Sequence, residues 1–318
     1  MSEINFDPVA LTQSLVKCAS VTPKDEGALT VVENHLSAIG CDCHPLTFSG
    51  NNSYEVKNLF ATIGNEGKHF AYAGHTDVVP VGNESSWKYR PFSAKIDDGK
   101  LYGRGSEDMK SSVACFISAA KRFVDKYKNI PGKISFIITG DEERDSVNGT
   151  PRILEWASKQ NYKFDHCLVG EPTSKNEVGD KVKIGRRGSV SFFFQVKGIQ
   201  GHTANSHLAE NSSHHLVNLL NSILEETLDK GNENFLPTSV QIATIDIGNP
   251  VQNVIPELAK ATVNIRFNDM HSSDSLIKWI DNKIEKIFSK LENASCTYTY
   301  DATAESFLNK AGDLYNII

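Results

Sequence analysis

Short apolar runs alternate with amphipathic segments along the first half of the chain. Three of the runs, FAYAG, SFIITG and HCLVG, have the length and apolar content of buried strands, and each ends in a glycine. Apolar residues at helical spacing predict helices over 110–128 and 150–160, the second with Thr150 as N-cap and Pro151 as its first residue. This alternation is typical of an α/β sheet with helices on its faces.

After Gly188 the pattern changes to the order β-α-β-β-α-β. The strands are predicted in SVSFFFQVKG, TSVQIATIDI, LAKATVNIRF and CTYTY, and the helices over 212–229 and 273–291. The order predicts a ferredoxin-like α+β domain inserted into the first one. The predicted segments are the first part of the larger α/β domain at 1–187, the ferredoxin-like domain at 188–300, and the return to the larger domain at 301–318.

Composition and charge exclude several classes of protein. The net charge of −6 provides no basic field for nucleic acid. The N-terminus lacks the basic start and apolar core of a signal peptide, and runs such as VACFISAA are shorter than the roughly 18 residues of a membrane helix. Six scattered cysteines favour a reducing compartment, and Cys41, Cys43 and His44 lack the second half of a zinc motif. We expect a cytoplasmic protein that binds neither nucleic acid nor membrane.

A side chain that can bind metal follows each of the three apolar runs. His75 comes directly after FAYAG, the acidic residues Asp141, Glu142 and Glu143 follow SFIITG, and Glu171 follows HCLVG. In open α/β sheets ligands bind outside the carboxyl ends of the strands. If the three strands are parallel neighbours, these side chains therefore converge on one crevice.

A further carboxylate, Asp108 in GRGSEDMK, adds to the negative charge, which requires cations to neutralise it. Imidazole and carboxylate ligands together suit zinc or cobalt, and a carboxylate can bridge two ions about 3.5 to 4 Å apart. We predict that His75 is a metal ligand and that Asp77 holds its other ring nitrogen. A single histidine at a strand end is more often an ordinary polar residue, and Glu142 with Glu143 could form a solvated turn, but the repetition at three strand ends favours metal.

Seven motifs spread over the chain occur in the same order in one enzyme family. They read AYAGHTDVVPVG, GRGSEDMKSSVA, GDEE, GEPTS, GRRGS, QGHTA and QNVIP. In this order they resemble the succinyl-diaminopimelate desuccinylase family, within the dinuclear zinc amidohydrolases that include acetylornithine deacetylases and aminoacylases. The resemblance implies a zinc-peptidase-like catalytic domain with a mixed central sheet flanked by helices. It also implies that the inserted domain is a dimerisation or lid domain through which a homodimer forms.

The resemblance also implies roles for His75 and the carboxylates around it. His75 and Glu171 bind one zinc ion, Glu143 binds the other, and Asp108 bridges the two, with Co²⁺ as an alternative to Zn²⁺. Glu142 is the general base, which takes a proton from the water between the metals and passes it to the leaving amine. The expected substrate is a small anionic N-acyl amino acid, N-succinyl-LL-2,6-diaminopimelate, and the products are succinate and LL-2,6-diaminopimelate.

Three more residues receive roles from the same resemblance. His202 reaches into the active site of the partner subunit to help hold the oxyanion, Arg186 pairs with a substrate carboxylate, and Asn253 supplies a hydrogen bond across the dimer. The alternative for His202 is an ordinary surface-loop histidine. The family also has a non-proline cis peptide after the bridging aspartate, here between Asp108 and Met109.

The chain departs from this family near its end. The last zinc ligand of the family is a histidine close to the C-terminus, whereas no histidine follows His271 here. We therefore expect the second metal to lack one ligand, and the chain to be a fragment or a truncated homologue with impaired activity. Two alternatives stay open: a non-catalytic remnant that binds metal or dimerises, and a deacylase of another N-acyl amino acid such as acetylornithine.

Overall fold

The computed structural model describes residues 4–50, 52–127, 129–310 and 312–317. Parts of the predicted segments, at residues 1–3, 51, 128, 311 and 318, lie outside this range. The described chain divides into two compact units, with the boundary between Asp180 and Lys181.

The first unit is an α/β structure with a mixed sheet. Its elements are α1 (Pro8–Lys17), α2 (Ala28–Ala38), β1 (Asp42–Gly50), β2 (Ser53–Ile63), β3 (His69–His75), β4 (Lys95–Asp97), β5 (Lys100–Tyr102), α3 (Lys110–Lys126), β6 (Lys133–Thr139), α4 (Thr150–Lys159) and β7 (His166–Val169). The main sheet of the described residues has the order β1-β2-β6-β3-β7. The β1-β2 and β2-β6 pairs are antiparallel, whereas β3 is parallel to both β6 and β7.

Helices cover both faces of this sheet. Leu59 and Ala61 of β2 pack in a core cluster with residues of α1, α2 and α3, whereas Phe60 between them packs with Ile153 and Ala157 of α4. The alternation follows from the two-residue period of a strand, which places successive side chains on opposite faces. The prediction of an α/β fold with helices flanking a mixed sheet is confirmed.

The predicted start of α4 is wrong by one residue. Gly149 is the N-cap, because its carbonyl oxygen accepts the N–H groups of Arg152 and Ile153, and Thr150 is already helical. Pro151 is tolerated in the first turn, where backbone N–H groups have no partner within the helix.

The second unit is built around an antiparallel sheet. Its elements are β8 (Gly185–Arg186), β9 (Gly188–Lys197), β10 (Gly201–His202), α5 (Ser212–Leu224), β11 (Ser239–Asp246), β12 (Val254–Ile255), β13 (Leu258–Phe267), α6 (Ser273–Phe288), β14 (Ser295–Ala304), β15 (Phe307–Leu308) and α7 (Asp313–Ile317). The sheet order β11-β13-β9-β14, with α5 and α6 contributing to the core, reproduces the predicted β-α-β-β-α-β unit. Within the described residues, no helix combines the length and the apolar character that a membrane span needs.

Helix α5 ends at Leu224, before the predicted residue 229, and a buried carboxylate holds the loop that follows it. Asp229 accepts the N–H groups of Gly231 at 2.6 Å and Thr238 at 3.2 Å, and Nδ2 of Asn268 donates to it at 2.7 Å. Nε2 of His271 lies 3.1 Å away. Burial works to raise the pKa of Asp229, but the hydrogen bonds from Thr238, Gly231 and Asn268 lower this pKa to about 2.

The same loop supports strand β8, which carries Arg186. The guanidinium of Arg187 donates to the carbonyl oxygen of Pro237 at 3.3 Å. A Cβ atom on Gly185 would lie only 3.1 Å from the ring of Phe235, so β8 and the loop approach each other closely. The Asp229 hydrogen bonds therefore stabilise the surroundings of a predicted substrate-binding residue.

We expect Asp229→Asn to lower the free energy of unfolding by about 1.5–3 kcal/mol at pH 7, the contribution of hydrogen bonds to a charged group. Because the folded pKa of Asp229 lies below its usual value of 3.8, its contribution is complete above pH 4 and is lost as the pH falls towards 2. The difference between wild type and variant should therefore shrink between pH 4 and pH 2.

Urea unfolding followed by circular dichroism at pH 7 and pH 3 measures this difference. The matched control is Asp301→Asn, which changes an exposed aspartate of β14 and should stay within about 0.5 kcal/mol of wild type. An equal loss for Asp229→Asn at both pH values would contradict the assignment.

Candidate metal centre

The carboxyl ends of β3, β6 and β7 lie side by side in the sheet. β3 ends at His75, the residues Asp141, Glu142 and Glu143 follow β6, and Glu171 follows β7. Since β3 is the parallel neighbour of both other strands, the side chains after the three strands emerge at the same edge. The three strands are thus parallel neighbours, as the prediction of a shared crevice requires.

His75 is at the centre of these side chains. Its Nε2 atom lies 3.1 Å from Oδ1 of Asp108, 3.4 Å from Oε1 of Glu171 and 4.0 Å from Oε2 of Glu142. Candidate ligand atoms of His75, Asp108 and Glu143 all lie within 4.8 Å of one another, and so do those of His75, Glu142 and Glu171. The structure thus brings together every metal-binding candidate of the sequence analysis and the candidate base.

The imidazole of His75 is 1% exposed, and Asp77 holds its orientation. Nδ1 of His75 lies 2.9 Å from the backbone carbonyl oxygen of Asp77 and 3.4 Å from its carboxylate. The nearest partner is therefore the main chain of Asp77, whereas the sequence predicted only that this residue holds the ring nitrogen. With Nδ1–H donating to this carbonyl, Nε2 faces the carboxylates.

The side chain of Asp77 also binds the turn after β6, a contact that the sequence did not indicate. Its carboxylate is fully buried and accepts the backbone N–H groups of Glu142 and Glu143, each at 3.1 Å. The hydroxyl of Thr22 donates to the same carboxylate at 2.7 Å. No motif marks Thr22, because this contact joins residues 55 positions apart in the chain. Asp77 thereby fixes the main chain of the acidic turn.

The electrostatics of this cluster fit a divalent cation. Burial raises the pKa of Asp108, Glu142 and Glu143, and neighbouring carboxylates raise it further. Burial works to lower the pKa of His75, but the neighbouring carboxylates raise it to about 11. Positive charge beside Nε2 therefore stabilises the cluster, and one imidazole with several carboxylates is a donor set that suits Zn²⁺ or Co²⁺.

Close packing behind the cluster explains one of the glycines at the strand ends. A Cβ atom on Gly170 would lie 2.2 Å from the hydroxyl oxygen of Tyr72 and 2.3 Å from Oγ of Ser112. Only glycine fits there, directly before the acidic residue that follows β7. The peptide bond between Asp108 and Met109 is cis, as the resemblance implies.

The remaining predicted site residues lie in the second unit. Nε2 of His202, at the end of β10, is 3.4 Å from Nδ2 of Asn253, and the N–H of Thr203 donates to the carbonyl oxygen of Asn253 at 3.0 Å. Arg186 is exposed on β8 and pairs with Phe307 of β15. The structure therefore places His202 and Asn253 together and Arg186 on a different strand pair.

Comparison with known proteins connects this geometry to a family. The sequence profile of peptidase family M20/M25/M40 matches residues 71–302, which include all the candidate site residues. The chain belongs to this family. The membership confirms the prediction of a metal-dependent amidohydrolase whose centre takes divalent metal.

Two relatives of this M20 chain are closely similar over most of its length. It is 44% identical over 307 residues to the succinyl-diaminopimelate desuccinylase of Parvibaculum lavamentivorans, covering 96% of this chain and 77% of that protein. It is 47% identical over 288 residues to the succinyl-diaminopimelate desuccinylase of Ehrlichia canis, covering 90% of this chain and 75% of that protein.

A solved structure shows the same fold at lower sequence identity. The YXEP protein of Bacillus subtilis, described as a dinuclear metal-binding peptidase of the M20 family, aligns with a TM-score of 0.66 and 15% identity. The alignment covers 95% of this chain and 75% of the Bacillus protein. The predicted fold class is thus found in the family as well as in this chain.

We expect Zn²⁺ to stabilise this M20 protein after treatment with a chelator and His75→Ala to abolish the effect. A ligand at 100 times its dissociation constant stabilises a fold by about 2.7 kcal/mol, which a thermal melt with and without Zn²⁺ detects. His207→Ala, at an exposed histidine of the second unit, is the matched control and should respond like wild type. An equal response of His75→Ala would contradict a centre built around His75.

Proposed function

We propose that this M20 protein hydrolyses the amide bond of N-succinyl-LL-2,6-diaminopimelate to give succinate and LL-2,6-diaminopimelate, a step of lysine and diaminopimelate biosynthesis. The substrate class rests on the two desuccinylases that share 44% and 47% identity with the chain. The chemistry rests on one observation, the convergence of Asp108 and Glu171 on Nε2 of His75. The proposal includes a cytoplasmic location, since its cysteines are free thiols, as in reducing compartments.

The proposed centre holds two Zn²⁺ ions, with Co²⁺ as an alternative. His75 and Glu171 would hold one ion, Glu143 the other, and Asp108 would bridge them. The support is that Asp108, Glu143 and Glu171 each belong to a group with His75 whose candidate ligand atoms lie within 4.8 Å of one another. When bound, such ions polarise the amide carbonyl as Lewis acids and stabilise the negative charge of the transition state.

Glu142 is the proposed general base. Its main chain is fixed by the bond from its N–H to Asp77, while its side chain is 50% exposed and so accessible to substrate and water. Burial raises the pKa of Glu142 and brings it closer to neutral pH, where a base works best. Its carboxylate would take the proton from the attacking water and pass it to the nitrogen of the leaving amine.

Arg186 is the proposed partner of a substrate carboxylate. Its side chain is exposed, and its backbone is fixed by pairing with Phe307. A guanidinium binds a carboxylate with two parallel hydrogen bonds, which suits the anionic substrate. The neighbouring Arg187 donates to Pro237 instead.

We also propose that His202 and Asn253 act across a homodimer formed through the second unit. In the described sheet of this unit, β11 is an edge strand, and exposed edge strands are sites of pairing with another chain. Apolar side chains are exposed along this strand and on α5, at Ile245, Val217 and Leu224. An apolar edge of this kind supports an interface between two copies of the chain.

We expect Glu142→Gln to lower kcat about 10²–10⁴-fold, the usual contribution of a general base, and to leave Zn²⁺ binding intact. Release of primary amine from N-succinyl-LL-2,6-diaminopimelate measures the rate. The matched control is Glu155→Gln on α4, an exposed glutamate outside the site, which should keep the wild-type rate. Equal rates for Glu142→Gln and wild type would reject Glu142 as the base.

We expect Arg186→Ala to raise KM for the same substrate about 10–100-fold, because a hydrogen bond between charged groups contributes about 1.5–3 kcal/mol. Steady-state kinetics over a range of substrate concentrations separate KM from kcat. The control is Arg122→Ala, which removes an exposed guanidinium of α3 and should change KM less than threefold. A rise in KM for Arg187→Ala alone would transfer the role to that residue.

A further inference from the structure

The acidic turn that carries Glu142 and Glu143 is held from two directions. The buried carboxylate of Asp77 accepts the N–H groups of both residues, so it fixes the inner side of the turn. Tyr54, at the start of β2, contacts the residues on either side of the two glutamates. None of the motifs in the sequence includes Tyr54.

The phenol of Tyr54 makes three contacts that bracket the glutamate pair. Its hydroxyl donates to Oδ1 of Asp141 at 2.5 Å and accepts the N–H of Asp145 at 3.1 Å. The guanidinium of Arg144 lies 5.8 Å from the centre of its ring, within the range of a cation–π interaction. The two ends of the turn are therefore tied to a single oxygen atom.

The carboxylate of Asp141 has few hydrogen-bond partners besides the hydroxyl of Tyr54 among the described residues. Asp141 is 1% exposed, and its Oδ2 atom has no hydrogen-bond partner among the described residues. A buried carboxylate is costly when its hydrogen bonds are missing. Loss of the Tyr54 hydroxyl would leave this carboxylate without a side-chain donor in the described part of the chain, and the turn would shift to relieve the cost.

Tyr54 is itself fixed by its neighbours. Oγ of Ser53 donates to Oδ2 of Asp145 at 2.8 Å, and Nδ2 of Asn148 donates to the backbone carbonyl oxygen of Tyr54 at 2.8 Å. Further along β2, Asn58 pairs with Thr139 at the end of β6. Because Tyr54 is fixed within the sheet, its hydrogen bonds fix the position of the turn relative to the sheet.

We propose that Tyr54 is a positioning residue, which holds the Asp141–Asp145 turn so that Glu143 reaches the metal and Glu142 reaches the attacking water. The inference rests on the proposed function for the roles of the two glutamates. Partners that orient metal ligands typically contribute 10- to 100-fold to metal affinity or activity. Since Tyr54 acts one residue away from the glutamates, we place its effect near the lower end, about tenfold.

The test compares Tyr54→Phe, which removes one oxygen atom, with the matched control Tyr298→Phe. Tyr298 is half-buried and donates to Asp281 at 2.6 Å in the second unit, so the control loses the same kind of bond outside the turn. The chelator-treated proteins are titrated with Co²⁺, and the visible absorption of the bound ion gives the affinity without any substrate. We expect Tyr54→Phe to weaken Co²⁺ binding about tenfold and Tyr298→Phe to leave it unchanged.

Kinetics on N-succinyl-LL-2,6-diaminopimelate provide a second readout. The assays use saturating Co²⁺, so that weaker metal binding does not lower the rate. For Tyr54→Phe we then expect kcat to fall about tenfold with KM within twofold of wild type. We expect no further fall when the change is added to Glu142→Gln. A purely structural role would not produce this dependence on Glu142. Co²⁺ affinity of Tyr54→Phe within twofold of wild type, or a loss equal to that of Tyr298→Phe, overturns the inference.

The two proposals fail in distinguishable ways. If the wild type binds Co²⁺ but does not cleave the succinyl substrate, the substrate assignment is wrong, and the Co²⁺ affinities alone decide the role of Tyr54. If the wild type does not bind Co²⁺, the metal centre and the role of Tyr54 are both overturned.

Discussion

The buried carboxylate of Asp77 is the interaction on which the candidate site depends. A carboxylate at this depth is stable only when hydrogen bonds replace the water that it loses, and the N–H groups of Glu142 and Glu143 together with Thr22 supply them. These two N–H groups in turn have Asp77 as their acceptor, so carboxylate and turn stabilise each other. The main-chain carbonyl of Asp77 faces Nδ1 of His75. Asp77 thereby fixes both the orientation of the imidazole and the position of the acidic turn.

The topology of the sheet decides which residues meet at this carboxylate. β6, β3 and β7 run parallel, so the segments that follow them emerge at one edge, and an aspartate two positions after β3 reaches the turn after β6. The second unit has an antiparallel sheet, in which successive strands end at opposite edges. Its candidate residues lie at two short strand pairs outside that sheet, with His202 of β10 beside Asn253, which precedes β12, and Arg186 of β8 beside Phe307 of β15.

The sequence predicted those parts of the site that follow from local pattern. A glycine followed by a ligand-type side chain after each apolar run identified His75 and Glu171, because parallel strands bring such positions together whatever the distance along the chain. Thr22 and Tyr54 were not predicted, since their contacts join residues 55 to 91 positions apart and no local pattern marks them. The end of α5 was also missed: the helix stops at Leu224, and the loop after it is held by the carboxylate of Asp229, which Asn268 contacts from 39 positions away.

The two adjacent glutamates form different donor groups, Glu143 with Asp108 and Glu142 with Glu171, and this difference favours separate roles for them. His75 has a single Nε2 lone pair, which can serve only one ion, so a second ion has to rely on carboxylates. Asp108 is the carboxylate nearest to Nε2, at 3.1 Å, which makes it the best placed to be shared. Glu142 is more distant, at 4.0 Å, and half of its side chain is exposed. Among the described residues each glutamate forms a donor group with His75, and the group of Glu143 is the one that includes Asp108, so Glu143 is the better placed to bind the second ion beside the shared carboxylate. The half-exposed carboxylate of Glu142 is accessible for proton transfer.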